Sequence, residues 1–550
     1  MQKKYPARAP LRVQQRSFEE SAAKEKVFNR RRFIAAGTSA TAFALFAPAL
    51  TFGQHTPKPA GGNISEPFVE PPLESSKNGV LNTTLRVVEA DVSIPDVGGM
   101  RIERTRCYNG LVSGPTLKLR AGEELRIKLI NELPPQSESC GSEHLNRPHC
   151  FNTTNIHTHG LHVSPKAPSD NSFLKIEPQT DFQYCFQVPA FHPAGTFWYH
   201  PHVHGSTGLQ VMNGLAGALI IEDRDEEKLV PDSRDLVWLI QEIIGKEAEK
   251  LYTCEHPHAS YTVNGKFQPT LGARAGEVQR WRFINATATP GGYVNLQLWD
   301  RNNRRQELVL IAIDGYPLRQ RQRRTSYVLP PGGRIDFLVR LRVPGKYKMI
   351  KQRFQGQARD QVLAWIDCTG KPLNMSLPWP RRSLLPFLKP ITDDEIVKRR
   401  VVRFQICPDQ ARGYTCKHYP DAKLCSGRKD ELVTNAFLID GKPYDPDRID
   451  HTIRLGTAEE WEIINETGAE HPFHIHINHF QVMRPGVPAA DWAWQDTISL
   501  PTNRSVKIRS RFLDYPGRYL LHCHILLHSD LGMMQNVEVV GDGAGPCTTA

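Results

Sequence analysis

The sequence predicts an all-β protein built from antiparallel sandwiches or barrels, and three observations predict it. Short segments alternate apolar and polar residues with the two-residue period of a half-buried strand, and Gly, Pro and Asn punctuate them. Segments with helical periodicity are short and few. A similar unit also recurs three times, as "NGLVSGPTLKLRAGEELRIKLIN" (109–131), "NGKFQPTLGARAGEVQRWRFIN" (264–285) and "DGKPYDPDRIDHTIRLGTAEEWEIIN" (440–465). Each copy has a turn, a Pro, a Gly and an alternating strand that ends in Asn, and each would open one domain. Once a leader is set aside, about 500 residues remain; at ~100–200 residues per domain, about three domains are expected.

Residues 1–49 read as an export leader. "NRRRFIAAGTSATAFALFAPAL" runs from arginines through a modest apolar stretch to small residues, with an A-x-A site near Ala49. Arg30, Arg31 and Phe33 fit the twin-arginine form, so the twin-arginine export machinery is an expected partner and a periplasmic or extracellular location is expected. Pro48 and several Ser and Thr argue against a retained membrane anchor. The leader holds ten Lys or Arg and three Asp or Glu, so it accounts for +7 of the net charge of +11 and leaves +4. A chain so nearly balanced gives no reason to expect a nucleic acid partner, and a monomer is expected. Arg319, Arg321, Arg323 and Arg324 in "RQRQRRTS" read as a solvated face.

The first domain, expected over 50–228, carries "NIHTHGLH" with His157 and His159, and "FWYHPHVHG" with His200 and His202. Two histidines at i and i+2 lie about 200° apart on a helix and could not share a ligand there. On a strand they point to one face. The second domain, expected over 229–375, has no such pair on its closing strand. Its closing strand "PGKYKMIKQ" aligns with "PAGTFWYHPH" and "PGRYLLHCH", and Ile350, Lys351 and Gln352 stand where the last copy has His522, Cys523 and His524. Residues 376–400 read as a linker. The third domain, expected over 401–550, brings "HPFHIH" with His471, His474 and His476, and "YLLHCHILLHSDLGMM" with His528 and Met533. Cys523 faces away from His522 and His524, so one strand can serve two sites. The cysteine side has the ligand set of a blue-copper electron-transfer centre, two imidazoles, a thiolate and a weak axial thioether. Zinc favours closed tetrahedral sites with C-x-x-C spacing, which the chain lacks.

With all four motifs present, the sequence closely resembles the multicopper oxidases, the family of laccases, ascorbate oxidase, bilirubin oxidase and bacterial copper efflux oxidases. The resemblance implies three cupredoxin-like Greek-key domains and four copper ions. It assigns the type 1 copper to His471, Cys523, His528 and axial Met533, the type 2 copper to His157 and His474, and the type 3 pair to His159, His200, His202, His476, His522 and His524. The histidine cluster must then lie where the first and third domains meet. His162, His204 and His479 are read as support behind the ligands.

The implied reaction is oxidation of a small reducing substrate with dioxygen reduced to water. Electrons are expected to enter at His471 or His528 and to pass from Cys523 through His522 and His524, its covalent neighbours. Asp170 is the expected proton donor at the cluster. Where many bacterial relatives carry an acid after the type 1 histidine, this chain has Ser529, which leaves Asp530 or water as a further route. Only eight methionines occur, with no methionine-rich run, so phenols or aromatic amines are expected ahead of metal ions such as Fe(II), Cu(I) or Mn(II). Trp492, Trp494 and Asp496 could border an aromatic substrate, or could pack. Glu466 and Glu470 lie near His471 and could meet a phenol or a cation. Of eleven cysteines, ten remain beside Cys523, which permits up to five disulfides in an exported protein, Cys140 with Cys150 being the most local pair. Relatives that have lost copper serve structural roles, and retention of every ligand here argues for an enzyme.

Overall fold

A computed structural model describes residues 66–96, 99–136, 145–222, 233–245, 250, 259–354, 360–378, 388–408, 435–543 and 545. The leader read at 1–49 lies outside the described residues, as do Cys140, Cys254, Cys416, Cys425 and Cys547.

Six sheets follow one another along the chain as three pairs. Each pair closes over its own apolar core. Leu125 and Ile127 of one sheet meet Leu219 and Ile221 of the other in the first pair, Trp281 and Phe337 meet Leu298 and Ile366 in the second, and Trp461 and Ile508 meet Leu521 and Val539 in the third. The strand Glu124–Asn131 illustrates the cause: Leu125, Ile127 and Leu129 are buried while Arg126 and Lys128 are not, the period-two pattern that the sequence carries. The molecule is thus all-β, with cupredoxin-like sandwiches.

The threefold repeat has a physical origin in each copy. Asn109, Asn264 and Asp440 all take φ 53°, each followed by a glycine with positive φ, which is the backbone of a tight hairpin turn. Their side chains accept from the backbone N–H of Arg86, Leu239 and Arg403, each at 2.8 Å. The Asn that ends each unit is buried and ties two loops together. Asn131 Nδ2 donates to Asn152 O and Ile176 O, Asn285 Nδ2 to Gly292 O and Leu329 O, and Asn465 Nδ2 to Ala469 O and Leu500 O.

Strand order repeats as well. Gly195–His200, Gly345–Gln352 and Gly517–Cys523 each lie between the last strand of their own copy and a partner strand: His157–His159, Val294–Asp300 and His471–Ile475 respectively. Strands flanking the expected first boundary end at Glu222 and resume at Arg234. Residues 396–400, inside the expected linker, already belong to the strand Ile396–Pro408 of the third pair.

The expectation of up to five disulfides needs correction. Cys107 and Cys368 are free and buried: they fill core positions in their sheets, where the thiol acts as a small apolar group. Cys150, Cys185 and Cys407 are disulfide-bonded. No helix among the described residues is long and apolar enough to cross a membrane.

Candidate metal centres

The cysteine side lies inside the third sandwich. Cys523 ends the strand Gly517–Cys523 and is fully buried. Its Sγ stands 3.4 Å from His471 Nδ1 and 3.7 Å from His528 Nδ1, and the two imidazole nitrogens are 3.3 Å apart. His471 is held from behind by the Thr467 hydroxyl at 2.9 Å. His528 sits on the short helix Leu526–Asp530, its ring stacked on Phe437 at 4.4 Å. Buried Met533 closes the turn, its N–H donating to His528 O and its carbonyl accepting from Cys523 N–H. Burial pushes the Cys523 thiol well above its ordinary range and His471 down to about 3. A neutral imidazole and a thiol that ionises only beside a cation are the states a metal selects.

The other face of the same strand builds the histidine cluster. His474 is in register with His522, and His157 with His200, so each outer sandwich offers a cross-strand pair. The two pairs meet face to face. His157 stacks on His476 with centroids 3.8 Å apart, and His159 on His474 at 3.9 Å. His202 and His476 approach His522, their Nε2 atoms at 3.1 and 3.2 Å from His522 Nε2. On the opposite side His159 Nδ1 lies 3.2 Å from His524 Nε2. Nitrogens of three groups converge within 4.8 Å: His159, His200 and His524; His202, His476 and His522; and His157, His159 and His474. Exchanging the first and third sandwiches maps the first of these groups onto the second, an approximate two-fold relation that follows from two copies of one hairpin.

This donor set fits copper. His157, His200 and His474 each have a buried Nε2 with no protein partner, while the Nδ1 of each is committed behind the ring, to Asp170, Pro201 O and Asp496 O. Burial above all, with neighbouring imidazoles adding to it, pushes His157, His202, His476 and His522 well below the ordinary histidine range. So many uncharged, buried nitrogens pointed at shared space suit soft-to-borderline divalent and monovalent ions.

Carboxylates stand behind the rings. Asp170 receives His157 Nδ1 at 2.9 Å and Thr158 N–H at 3.2 Å, and burial pushes its carboxyl up to about 8. Asp496 lies 3.1 Å from His159 Nε2 and accepts both terminal nitrogens of Arg334, at 2.7 and 2.5 Å. Burial alone would raise its pKa, but the Arg334 guanidinium holds it below the ordinary carboxylate range. Asp314 accepts the backbone N–H groups of Arg334, Asp496 and Thr497, and burial pushes it up to about 7.

Several sequence readings gain a location. Trp494 packs against Tyr316, Ile391 and Ala458 with its indole N–H on Leu388 O, and Trp492 donates to Val487 O. Asp496, read with them as a possible substrate border, points instead at the cluster, and sequence reasoning missed that role together with Arg334 and Asp314. The usable signal was an acid downstream of the first H-x-H pair of each outer domain, Asp170 after His157 and His159 and Asp496 after His474 and His476. Asp530 is occupied, accepting Gly205, Thr207 and Gly208 N–H at the start of the helix Thr207–Asn213. His162 bridges Ile477 O and Asp514, His479 packs on Tyr316, and His204 Nε2 meets Asn146. Glu466 pairs with Arg403, and Glu470 accepts from Ser499 Oγ at 2.7 Å. Arg323 pairs with Glu307 and Arg319 with Asp491, on a largely exposed strand.

Comparison with known proteins agrees with this geometry. The family description "Multicopper oxidase" matches residues 145–226 and 420–542. The multicopper oxidase mco of Staphylococcus aureus is 30% identical over 447 residues, covering 78% of this chain and 83% of that protein. The laccase of Bacillus subtilis (strain 168) is 27% identical over 495 residues, covering 78% and 89%. Among solved structures, the Campylobacter jejuni multicopper oxidase, described as a metallo-oxidase, superposes with a TM-score of 0.65 at 26% identity, covering 86% of this chain and 95% of that one. The Staphylococcus aureus relative, at 30% identity over 78% of this chain, settles the family: the chain belongs to the multicopper oxidases, copper-dependent oxidoreductases that use dioxygen as acceptor.

Proposed function

We propose that the chain is a laccase-like oxidase of phenols or aromatic amines. Four coppers would supply the redox chemistry, one taking single electrons from the substrate and three reducing dioxygen to water. In this reading His471, Cys523, His528 and Met533 hold the first; His157 and His474 hold the type 2 ion; His159, His200 and His524 hold one type 3 ion, and His202, His476 and His522 the other. The observation that carries it is a single strand with Cys523 on one face and His522 beside it on the other, so an electron leaves the sulfur and reaches the cluster along covalent bonds.

The chain's own groups account for the rest. Asp170 lies directly behind His157 at the edge of the cluster, and we assign it as the proton donor. Its raised pKa supports that assignment, since a carboxyl that keeps its proton near neutrality can give it up during turnover. Both sites are buried, so the substrate would deliver electrons at the outer edge of the cysteine site, apart from the cluster where dioxygen would be reduced. The divisions 50–228, 229–375 and 401–550, with a linker at 376–400, and an exported, periplasmic or extracellular location reached through the twin-arginine machinery, belong to the same proposal and rest on the sequence.

Glu470, next to His471, favours a second reading as a metal-ion oxidase, because a carboxylate beside the electron entry point attracts a cation. The small methionine count weighs against Cu(I) as that cation. Dioxygen uptake by the copper-loaded protein, with a phenol, an aromatic amine, Fe(II) and Cu(I) supplied in turn, separates the readings. Uptake with the organic donors is expected. Uptake with metal ions alone would replace the first reading by the second, and a blue band without uptake from any donor would refute both.

A further inference from the structure

The near balance of charge behind the leader hides a strong segregation. Residues 229–375 hold 23 Lys or Arg against 13 Asp or Glu, a net +10, so the rest of the chain behind the leader carries −6. Much of this excess gathers at one end of the middle sandwich. Ala273 and Gly345 both lie opposite Cys368, Asp300 opposite Tyr347, and Val278 opposite Arg340. The turns 274–277, 301–307 and 341–344 and the segment 369–372 therefore leave the same end. The other end abuts the histidine cluster: a Cβ on Gly332 would lie 2.6 Å from the His524 ring, and Arg334 reaches Asp496. The strand Arg334–Arg340 runs from that end to the basic one, a rise of about 20 Å.

Arg274, Arg301, Arg305, Arg342, Lys346 and Lys371 are exposed at the basic end, and none forms an ion pair among the described residues. Two acids of the same end are already engaged, Asp300 by Arg304 and Glu307 by Arg323. Among these cations Val343 stands 59% exposed in the turn 341–344, between Arg342 and exposed Pro344. Cations around an exposed apolar side chain match a surface that is negative outside and apolar just beneath. A soluble polyanion would meet the charge and leave Val343 in water, whereas a bilayer takes up both.

We propose that the middle sandwich docks the enzyme on an anionic lipid bilayer through this end, with Val343 at the headgroup boundary and the arginines on lipid phosphates. The planar guanidinium fork suits two phosphate oxygens at once. Docked in this way, the histidine cluster stays about 20 Å from the leaflet. Docking is independent of the reducing substrate.

Co-sedimentation of the copper-loaded protein with vesicles tests it. Binding is expected to vesicles of equal parts phosphatidylglycerol and phosphatidylcholine but not to pure phosphatidylcholine, and is expected to be lost at about 1 M salt, where charges are screened within about 3 Å. R301Q/R305Q/R342Q is expected to weaken partitioning about 100-fold, the effect of three cations at a lipid surface, with the blue band and dioxygen uptake in solution unchanged. V343D should also weaken binding, and V343W should strengthen it. R104Q/K128Q/R399Q removes as many exposed cations from the first and third sandwiches and should bind as the parent does. The leader is the same in every variant, so differences between variants report this end alone. Failure of the parent to bind anionic vesicles, or undiminished binding by R301Q/R305Q/R342Q, would overturn the proposal. An equal loss in R104Q/K128Q/R399Q would trace binding to net charge and overturn it too. Binding that ignores both Val343 variants and is fully displaced by soluble polyphosphate would mark a site for a free polyanion, and the bilayer would be the wrong partner.

Discussion

The second and third sandwiches share strand order, hairpin turn and buried Asn, and the side chains on two paired strands set them apart. In the third, Phe473 lies opposite Cys523 and His474 opposite His522. In the second, Leu296 lies opposite Lys351 and Gln297 opposite Ile350. Lys351 takes the place of the cysteine and is just as buried, its ammonium over the Tyr261 ring at 4.7 Å and its pKa pushed down to about 8 by burial against the pull of Glu242. Gln297 takes the place of a histidine and bonds Gln352 and Trp299. The first sandwich is intermediate, with His200 and His202 kept and Pro201 where the cysteine would be. Frame and metal site are therefore separable: the sandwich does not need a metal, and a metal site needs side chains brought together from several segments of a frame that is already built.

The comparison can be broken or sharpened by experiment. The largest effect is expected from C523S, which should abolish the blue absorption and reduce substrate oxidation to background while the cluster copper stays, as metal analysis would record. Loss of all copper would mean that the two faces of the strand are not independent. D170N should leave the blue band unchanged and slow reoxidation of the reduced protein by dioxygen by about 10²-fold, the range of a missing general acid; stopped-flow recovery of the blue colour reads it. If the frames are equivalent, N285A and N465A should each cost about 1–3 kcal/mol in thermal or denaturant unfolding by stranding two buried carbonyls. Unequal losses would show that one sandwich carries the fold. The smallest effect is expected from grafting I350H/K351C/Q352H into the second sandwich. Copper per chain should not rise, because Val294 occupies the place of His471 and no counterpart of His528 follows. An extra blue centre would refute the claim that ligands from several segments are needed.

The proposed ligands were legible because they obey local rules. An H-x-H pair needs only the alternation of a strand to share a face, and the hairpin turns and terminal Asn residues recur at matching points of three copies. What escaped lies between segments far apart in sequence. Arg334 and Asp496 are 162 positions apart and carry no shared spacing, and Asp496 read as part of a tryptophan-rich stretch. Asp530 looked available for proton delivery because nothing local announces that the backbone of residues 205–208 occupies it. Cys107 and Cys368 resemble any other cysteine in sequence, and only burial in separate sheets shows that they cannot pair.

His524 touches His159 across 365 positions of chain. A metal joining them is also a clip on a very long loop, and the entropy of closing such a loop grows only as the logarithm of its length, about 0.6 kcal/mol per doubling. What grows with length is the waiting time, since contacts this remote form late in folding. The cluster can be completed only after both outer sandwiches have formed and met, so neither of them holds a complete centre by itself. Metal retention at the histidines then reports that the two outer sandwiches have met, and a copper assay doubles as a test for correctly assembled protein.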